Sequence, residues 1–254
     1  MTLLLDKKGK IAHLVIDRPN KRNAFTQAMW GLFPTLLADA MSDDSIRVLI
    51  VHASKQDSAF CAGADIGEFG EGATDPEWRA KNQAAIGKVQ HDLAQAPKPT
   101  IAVIDGDCIG GGCGIALACD IRIAGPAARF GITPAKLGLV YPLHDTKLLV
   151  DAVGPSQAKR ILFTGQILSA EEALRIGLIT ILADEPYAEA MALAETMASI
   201  SSHSQQMSKQ FVRRILDGQV DDDEASSALF DSAFESDDFR EGVSAFLEKR
   251  KPEF

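Results

Sequence analysis

The sequence predicts an α/β protein built on a parallel sheet, and three observations predict it. Residues 46–53 (IRVLIVHA) and 100–104 (TIAVI) are short continuous apolar runs, the pattern of strands buried on both faces. Helical segments separate the strands, so neighbours pair through crossovers rather than hairpins. The second half of the chain then reads as helix after helix.

Each element has a local reason. Residues 10–17 (KIAHLVID) read as a strand that Arg18-Pro19-Asn20 stops. Thr26 is an N-cap for an apolar-striped helix through Met41, which Pro34 should kink or shorten. Residues 54–71 form a loop rich in small side chains, and 75–96 are helical until Pro97-Lys98-Pro99. After the strand at 100–104 comes a glycine segment, a helix to Cys119 and a strand at 120–124 (DIRIA). Asp145 is placed to cap a helix through Val153. Ser169-Ala170-Glu171-Glu172 has the form of a capping box, with Gly177 at the matching C′ position. Further helices cover 185–199, 204–216, 223–234 and 237–249, the last three with apolar residues at helical spacing, such as Phe239, Val243, Phe246 and Leu247. Residues 1–200 therefore read as a βα core and 201–254 as a helical region.

Composition narrows the function. The 254 residues suffice for one large domain or one domain with an appendage. A formal charge of −9 argues against nucleic acid or anionic membrane as a partner, so any phosphate-bearing ligand must meet a local basic cluster. No apolar run approaches a membrane span. The start, MTLLLDKKGK, carries its charges after its apolar residues and lacks a small-residue cleavage site, unlike a signal peptide, so a cytoplasmic location is expected. Cys61, Cys108, Cys113 and Cys119 show no C-x-x-C spacing and no accompanying His cluster. They read as buried small residues in a reducing cytosol, and no metal is expected.

Two loops carry chemistry. Residues 59–66 (AFCAGADI) follow a strand with small side chains, which leaves backbone N–H groups free to meet a ligand. Residues 106–114 (GDCIGGGCG) fit neither G-x-G-x-x-G nor a Walker loop, and so remain a helix start with close backbone approach, suited to an oxyanion. The plainer readings are a tight surface turn and close helix–sheet packing. Together the loops suggest two amides converging on one oxygen, as in stabilising a thioester enolate. The basic run Lys249-Arg250-Lys251 reads by default as a solvated helix end.

RPNKRNAFT at 18–26, AFCAGADI at 59–66, IDGDCIGGGCGIALACDIRIAG at 104–125 and FLEKRKPEF at 246–254 together resemble the enoyl-CoA hydratase/isomerase (crotonase) superfamily over nearly the whole chain. The resemblance implies a spiral core of ββα units and a C-terminal helical trimerisation region, giving a homotrimer or a dimer of trimers. It implies no permanently bound cofactor but a substrate carried as a coenzyme A thioester, its carbonyl oxygen between the amides of Ala64 and Gly111. It also implies coenzyme A contacts from Arg22 and Ala24, from Ala62, Asp65 and Ile66, and from Phe246 and Lys249, the last pair often reaching a neighbouring subunit. Arg22, Lys249 and Arg250 then become the local positive charge.

The departures from the family pattern are as informative. Hydratases of the family usually carry a glutamate where this chain has Gly114, and a second where it has Pro134. The aspartate of some dienoyl isomerases and of the dehalogenase branch falls on Pro142. The run TPAKLGLVY is similar to methylmalonyl-CoA decarboxylases, which share a tyrosine at Tyr141. That branch, however, has a histidine at the Ala64 place and a glutamate at the Gly114 place. Decarboxylation needs an oxyanion hole and a donor but no base, because loss of CO₂ leaves the electrons behind. Hydration or isomerisation needs a base. His144, Asp145, Glu68 and Asp65 are the candidates, with plainer readings as a loop residue, an N-cap, a solvated side chain and a backbone-bonding turn residue. Three functions stay open: a hydratase/isomerase-type enzyme with an atypical base, a malonyl-type decarboxylase using Tyr141, and a non-catalytic acyl-CoA binding protein.

Overall fold

A computed structural model describes residues 2–72 and 74–254; Met1, at the head of the segment weighed as a signal peptide, and Ala73 lie outside them. The chain opens with β1 (Leu3–Lys8) and β2 (Ile11–Ile16), joined by Gly9 at φ +58° and paired antiparallel. The sequence reading has no β1. Asp6, Lys7 and Lys8 hide its alternation, and the strand exists because β2 offers it an edge. After α1 (Gln27–Ser42) comes β3 (Val48–Ala53), then α2 (Ile66–Gly72), α3 (Pro76–Ala94), β4 (Thr100–Ile104), β5 (Asp107–Ile109), α4 (Gly111–Ala118) and β6 (Ile121–Ala124). The order continues with β7 (Arg129–Gly131), α5 (Leu143–Thr164), β8 (Ile167–Ser169), α6 (Ala170–Arg175), β9 (Ile181–Leu182), α7 (Pro186–Ala198), α8 (Ser202–Leu216), α9 (Glu224–Glu235) and α10 (Asp237–Glu248).

Six strands form the main sheet in the order β1-β2-β3-β4-β6-β9, parallel from β2 onward. A small second sheet, β5-β7-β8, lies beside the glycine segment. Alternation divides the main sheet's side chains between two layers. Leu49, Val51, Ala102 and Ile104 face one core with Phe33 and Leu37 of α1 and Val89 and Leu93 of α3. Val48, Ile50, Ile101, Val103 and Ile123 face the other, under Ala190 and Ala194 of α7, whose small side chains let that helix lie close. Both faces are covered, which is why these strands read as unbroken apolar runs.

Thr26 caps α1 as expected, its side chain accepting from Met29 N, but α1 runs through Pro34 instead of ending there. Burial of Met29, Trp30, Phe33, Leu37 and Ala40 along one stripe outweighs the roughly 3 kcal/mol that an interior proline costs. The segment taken as loop to residue 71 contains α2. The box at Ser169 is only half formed: Ser169 accepts from Glu172 N, while the Glu172 carboxylate turns to Arg160 and Arg175. Gly177 closes α6 at φ +81°, with Gly177 N on Leu174 O and Leu178 N on Ala173 O. Asp145 is not an N-cap. The helix α5 begins at Leu143 behind Pro142, which makes no side-chain capping bond, and continues past Val153 across a break at Gly154 (φ +73°) and Pro155.

Gly112 fixes how closely α4 approaches the 59–65 loop. A Cβ at that position would collide with the backbone carbonyl of Cys61, which has no room to move. Gly112→Ala is therefore expected to destabilise the fold by about 3 kcal/mol or more, read as a drop in the urea midpoint; an unchanged midpoint would show that the loop gives way.

Candidate active site

Three chain segments meet where the parallel strands end, and backbone hydrogen bonds lace them together. Phe25 N donates to Gly63 O (2.8 Å) and Asp65 N to Phe25 O (2.8 Å). Cys61 N donates to Asp107 O (3.1 Å) and Ile109 N to Cys61 O (2.9 Å). Asn23, buried and at φ +55°, adds a side-chain brace, accepting from Arg18 N and donating to Ala59 O. Gly63 sits at φ +92°, where a Cβ would come within 3.3 Å of Gly111 N, and Gly110 turns the chain into α4 at φ +56°. The lacing consumes the amides of Phe25, Cys61, Ala62 and Asp65 but leaves two others. Among the described residues neither Ala64 N–H nor Gly111 N–H has an acceptor. Ala64 N is 3.8 Å from the Cβ position of Gly111, which places the two amides near each other at the positive end of α4, beside the ring of Trp30.

The remaining residues implied for binding fall into two groups. Arg22, at φ +51°, pairs with Asp107, which Arg129 also grips at 2.7 Å. Ala24 O accepts from Arg18, and Ala62 N donates to Arg22 O. Asp65 accepts from Gly67 N and pairs with Arg18 at 2.8 Å, a bond that holds its carboxyl below the usual range, so it is the turn residue of its plainer reading. Ile66 is exposed beside it. Glu68 is not simply solvated: its carboxylate accepts from Gln27 N at the start of α1. Phe246 and Lys249 stand apart from this cluster. Lys10 Nζ donates to Phe254 O (2.6 Å), which ties the tail to the end of β2 opposite the one that leads into 18–24. Lys249 has no ion pair among the described residues, whereas Arg250 is held by Glu241 and Glu248 and so contributes little free charge.

The family-model comparison matches residues 6–254 to enoyl-CoA hydratase/isomerase. The chain belongs to the enoyl-CoA hydratase/isomerase family. It is 35% identical over 263 residues to a crotonyl-CoA hydratase of Syntrophomonas wolfei (99% of this chain, 97% of that one). It is 34% identical over 255 residues to a short-chain-enoyl-CoA hydratase of Clostridium acetobutylicum (99% and 96%). A crystal structure assigned to the same family, from Hyphomonas neptunium, superposes with a TM-score of 0.96 at 38% identity, covering 100% of this chain and 97% of the other. The spiral α/β core is thus the crotonase fold.

Where a family hydratase is expected to carry its first glutamate, the enoyl-CoA hydratase/isomerase fold here has a different occupant. A Cβ on Gly114 would collide with Nε2 of Gln90, which enters from α3, and would lie 3.3 Å from Tyr141 Oη. Gln90 is fully buried, and neither polar atom of its carboxamide has a partner of good geometry. Tyr141 is 8% exposed, and its hydroxyl donates a long bond (3.4 Å) to Gly110 O, the residue before the helix start. Burial, reinforced by the charge of Asp145, holds the phenol well above its ordinary value, so Tyr141 stays a donor. Asp145 completes the cluster from the first turn of α5. It is 1% exposed, Oδ1 has no hydrogen-bond partner, and His144 Nδ1 stands 3.6 Å away. Burial pushes the Asp145 carboxyl up to about 7, against a smaller downward pull from the facing Gln90 carboxamide. Burial also lowers His144. Neither Gln90 nor the burial of Asp145 is readable from sequence: one arrives from a distant helix, and the other occupies a position where capping is the ordinary role.

The raised carboxyl has a stability consequence. Folding strengthens proton binding at Asp145, so its favourable contribution is complete below the ordinary carboxylate value of 3.8 and is lost as pH rises through about 7. Asp145→Asn, which cannot ionise, is expected to raise Tm at pH 8, by an amount on the order of a few kcal/mol in stability, and to leave it nearly unchanged at pH 4. A thermal scan at both pH values checks this; a loss of stability at pH 8 contradicts it.

Proposed function

We propose that this chain is an acyl-CoA enzyme that stabilises a thioester enolate between the N–H groups of Ala64 and Gly111. The observation that carries the reading is the pair of convergent, unpartnered amides at a helix N-terminus. Two preorganised donors favour the enolate oxygen over the neutral carbonyl, because the charge on oxygen grows as the enolate forms. The names of the hydratase relatives point to the same substrate class. The substrate brings its own coenzyme A, and no resident cofactor is required. Ordinary glutamate-driven water addition does not carry over, because Gly114 and Pro134 hold neither carboxylate.

Gly111 is the first residue of α4, where proline suits a helix start and removes the N–H; its Cβ meets the Trp30 ring at 3.2 Å, a contact that the control Gly111→Ala reproduces with the N–H kept. Gly111→Pro is expected to lower turnover about a hundredfold or more, the cost of one oxyanion donor. A panel of crotonyl-, methylmalonyl-, ethylmalonyl- and dienoyl-CoA with product detection supplies the assay. Full activity in the folded variant would misplace the hole, and binding without turnover of any substrate would favour a non-catalytic acyl-CoA protein.

A second reading, decarboxylation of a malonyl-type thioester, is favoured by one observation: the Tyr141 hydroxyl stands beside the empty Gly114 position and remains protonated. Tyr141→Phe keeps the ring and removes the donor. A loss on the order of a hundredfold on methylmalonyl-CoA with unchanged Tm is expected on this reading; equal rates sink it.

Binding of the coenzyme A tail follows from geometry and charge. Arg22 lies beside the hole, while Lys249 and Phe246 lie toward the other end of the sheet. They serve a neighbouring subunit's site in a homotrimer or dimer of trimers, assembled through the helical region 201–254. Phe230, Phe234, Phe239, Phe246 and Leu247 are all exposed in the single chain, as such an assembly requires. Lys249→Glu is expected to weaken acetyl-CoA binding several-fold at low salt and less at high salt. Equal affinity at low salt would return Lys249 to a solvated helix end.

A further inference from the structure

We propose that Asp145 is the group that carries the proton to and from the α-carbon of the thioester enolate, in place of the glutamate that Gly114 lacks. The inference rests on the enolate reading above and assigns the residue which that reading leaves open.

The geometry is a closed polar cluster on the acyl side of the oxyanion hole. Gly114 lies one turn along α4 from Gly111, so a side chain there would point into the space beside the bound acyl group. That direction is filled by the Gln90 carboxamide, with Tyr141 Oη on its flank. Asp145 faces the same carboxamide from α5, and α3, α4 and α5 pack against one another around it. Buried polar atoms are almost always paired. Here Asp145 and the Gln90 carboxamide face each other, yet Oδ1 of Asp145 and both polar atoms of Gln90 lack a hydrogen bond of good geometry. Polar groups buried and so loosely paired are costly to a fold that needs only packing, a cost that a functional site can bear. His13 Nδ1 and His52 Nε2 also lack partners, but these rings pack with Tyr187 on the α7 face of the sheet, in the other core layer from α4. Cys61, Cys108 and Cys113 lie beneath the lacing, where burial raises Cys61 to about 12 and holds Cys108 well above its ordinary value.

The chemistry balances. In the forward direction the carboxylate of Asp145 takes the α-proton and the C–H electron pair becomes the enolate double bond, while negative charge moves to the thioester oxygen between Ala64 and Gly111. In reverse the enolate pair forms a new C–H bond with the proton of the Asp145 carboxyl, which is left ionised. An enolate formed by loss of CO₂ would be protonated by the same group. A carboxyl that titrates near neutrality serves both directions. Gln90, Tyr141 and His144 stand beside it; His91 from α3 and Lys147 further along α5 act on His144, and Cys113 from α4 acts on Tyr141. Gln90 is a positioning residue that holds the carboxyl without neutralising it.

The test is exchange of the α-protons of butyryl-CoA with D₂O, followed by mass spectrometry on the intact chain. Butyryl-CoA cannot be hydrated or decarboxylated, so exchange reads enolate formation alone. Wild type is expected to exchange faster than buffer, with a rate that rises between pH 6 and 8. Asp145→Asn should lower that rate about a hundredfold or more, with butyryl-CoA affinity within about threefold of wild type. Asp145→Ser substitutes if the Asn variant does not fold. Exchange in Asp145→Asn equal to wild type overturns the assignment while leaving the oxyanion hole standing, as does an equal loss in Tyr141→Phe with none in Asp145→Asn. Wild type that binds butyryl-CoA without exchange overturns the assignment too, and Gly111→Pro then judges the hole separately. Failure of wild type to bind butyryl-CoA removes the acyl-CoA reading itself.

Discussion

The site depends on a backbone lacing that no side chain could replace. Phe25 bridges to Ala64, and Cys61 bridges to Cys108, so three segments far apart in sequence run side by side as short parallel pairs. Each bond in the lacing uses one amide and fixes the neighbouring peptide plane, and that is how Ala64 N–H is left without an acceptor close to Gly111. The donors are rigid because their neighbours are committed, and rigidity is what makes an oxyanion hole effective. Glycine at 63 and 112 is the steric condition for the close approach.

Beside that fixed point, at Gly114, where the family resemblance implies a glutamate, the space next to the helix is neither hollow nor apolar. A carboxamide from α3, a phenol from the loop before α5 and a carboxyl from its first turn fill it. The break at Gly154 and Pro155 lets the first half of α5, which carries Asp145, lie against α4 independently of its second half.

Much of this was legible in the sequence. The strand at 100–104, the cap at Thr26 and the four C-terminal helices follow from apolar period and capping chemistry, which are local. That the loops 59–66 and 106–114 lie side by side was legible because small residues before a helix permit close backbone approach. The strands β5, β7, β8 and β9 were not. At two or three residues each, they exist only because a neighbour supplies their hydrogen bonds. Asp145 was misread because the third position of a helix and its cap are only three residues apart in sequence, and only tertiary packing decides which one is buried. Gln90 left no signal at all: its role is set by the direction of α3 relative to a glycine 24 positions later.

That packing makes the absence of a glutamate hard to undo. In a pocket that had merely lost the side chain, one substitution at position 114 could restore it. Here Gln90 occupies the space, so a glutamate at position 114 would first have to displace a buried carboxamide. Positions 90 and 114 are therefore sterically coupled: any side chain at 114 requires Gln90 to move, so the glycine locks the carboxamide in place as firmly as the carboxamide excludes a larger residue.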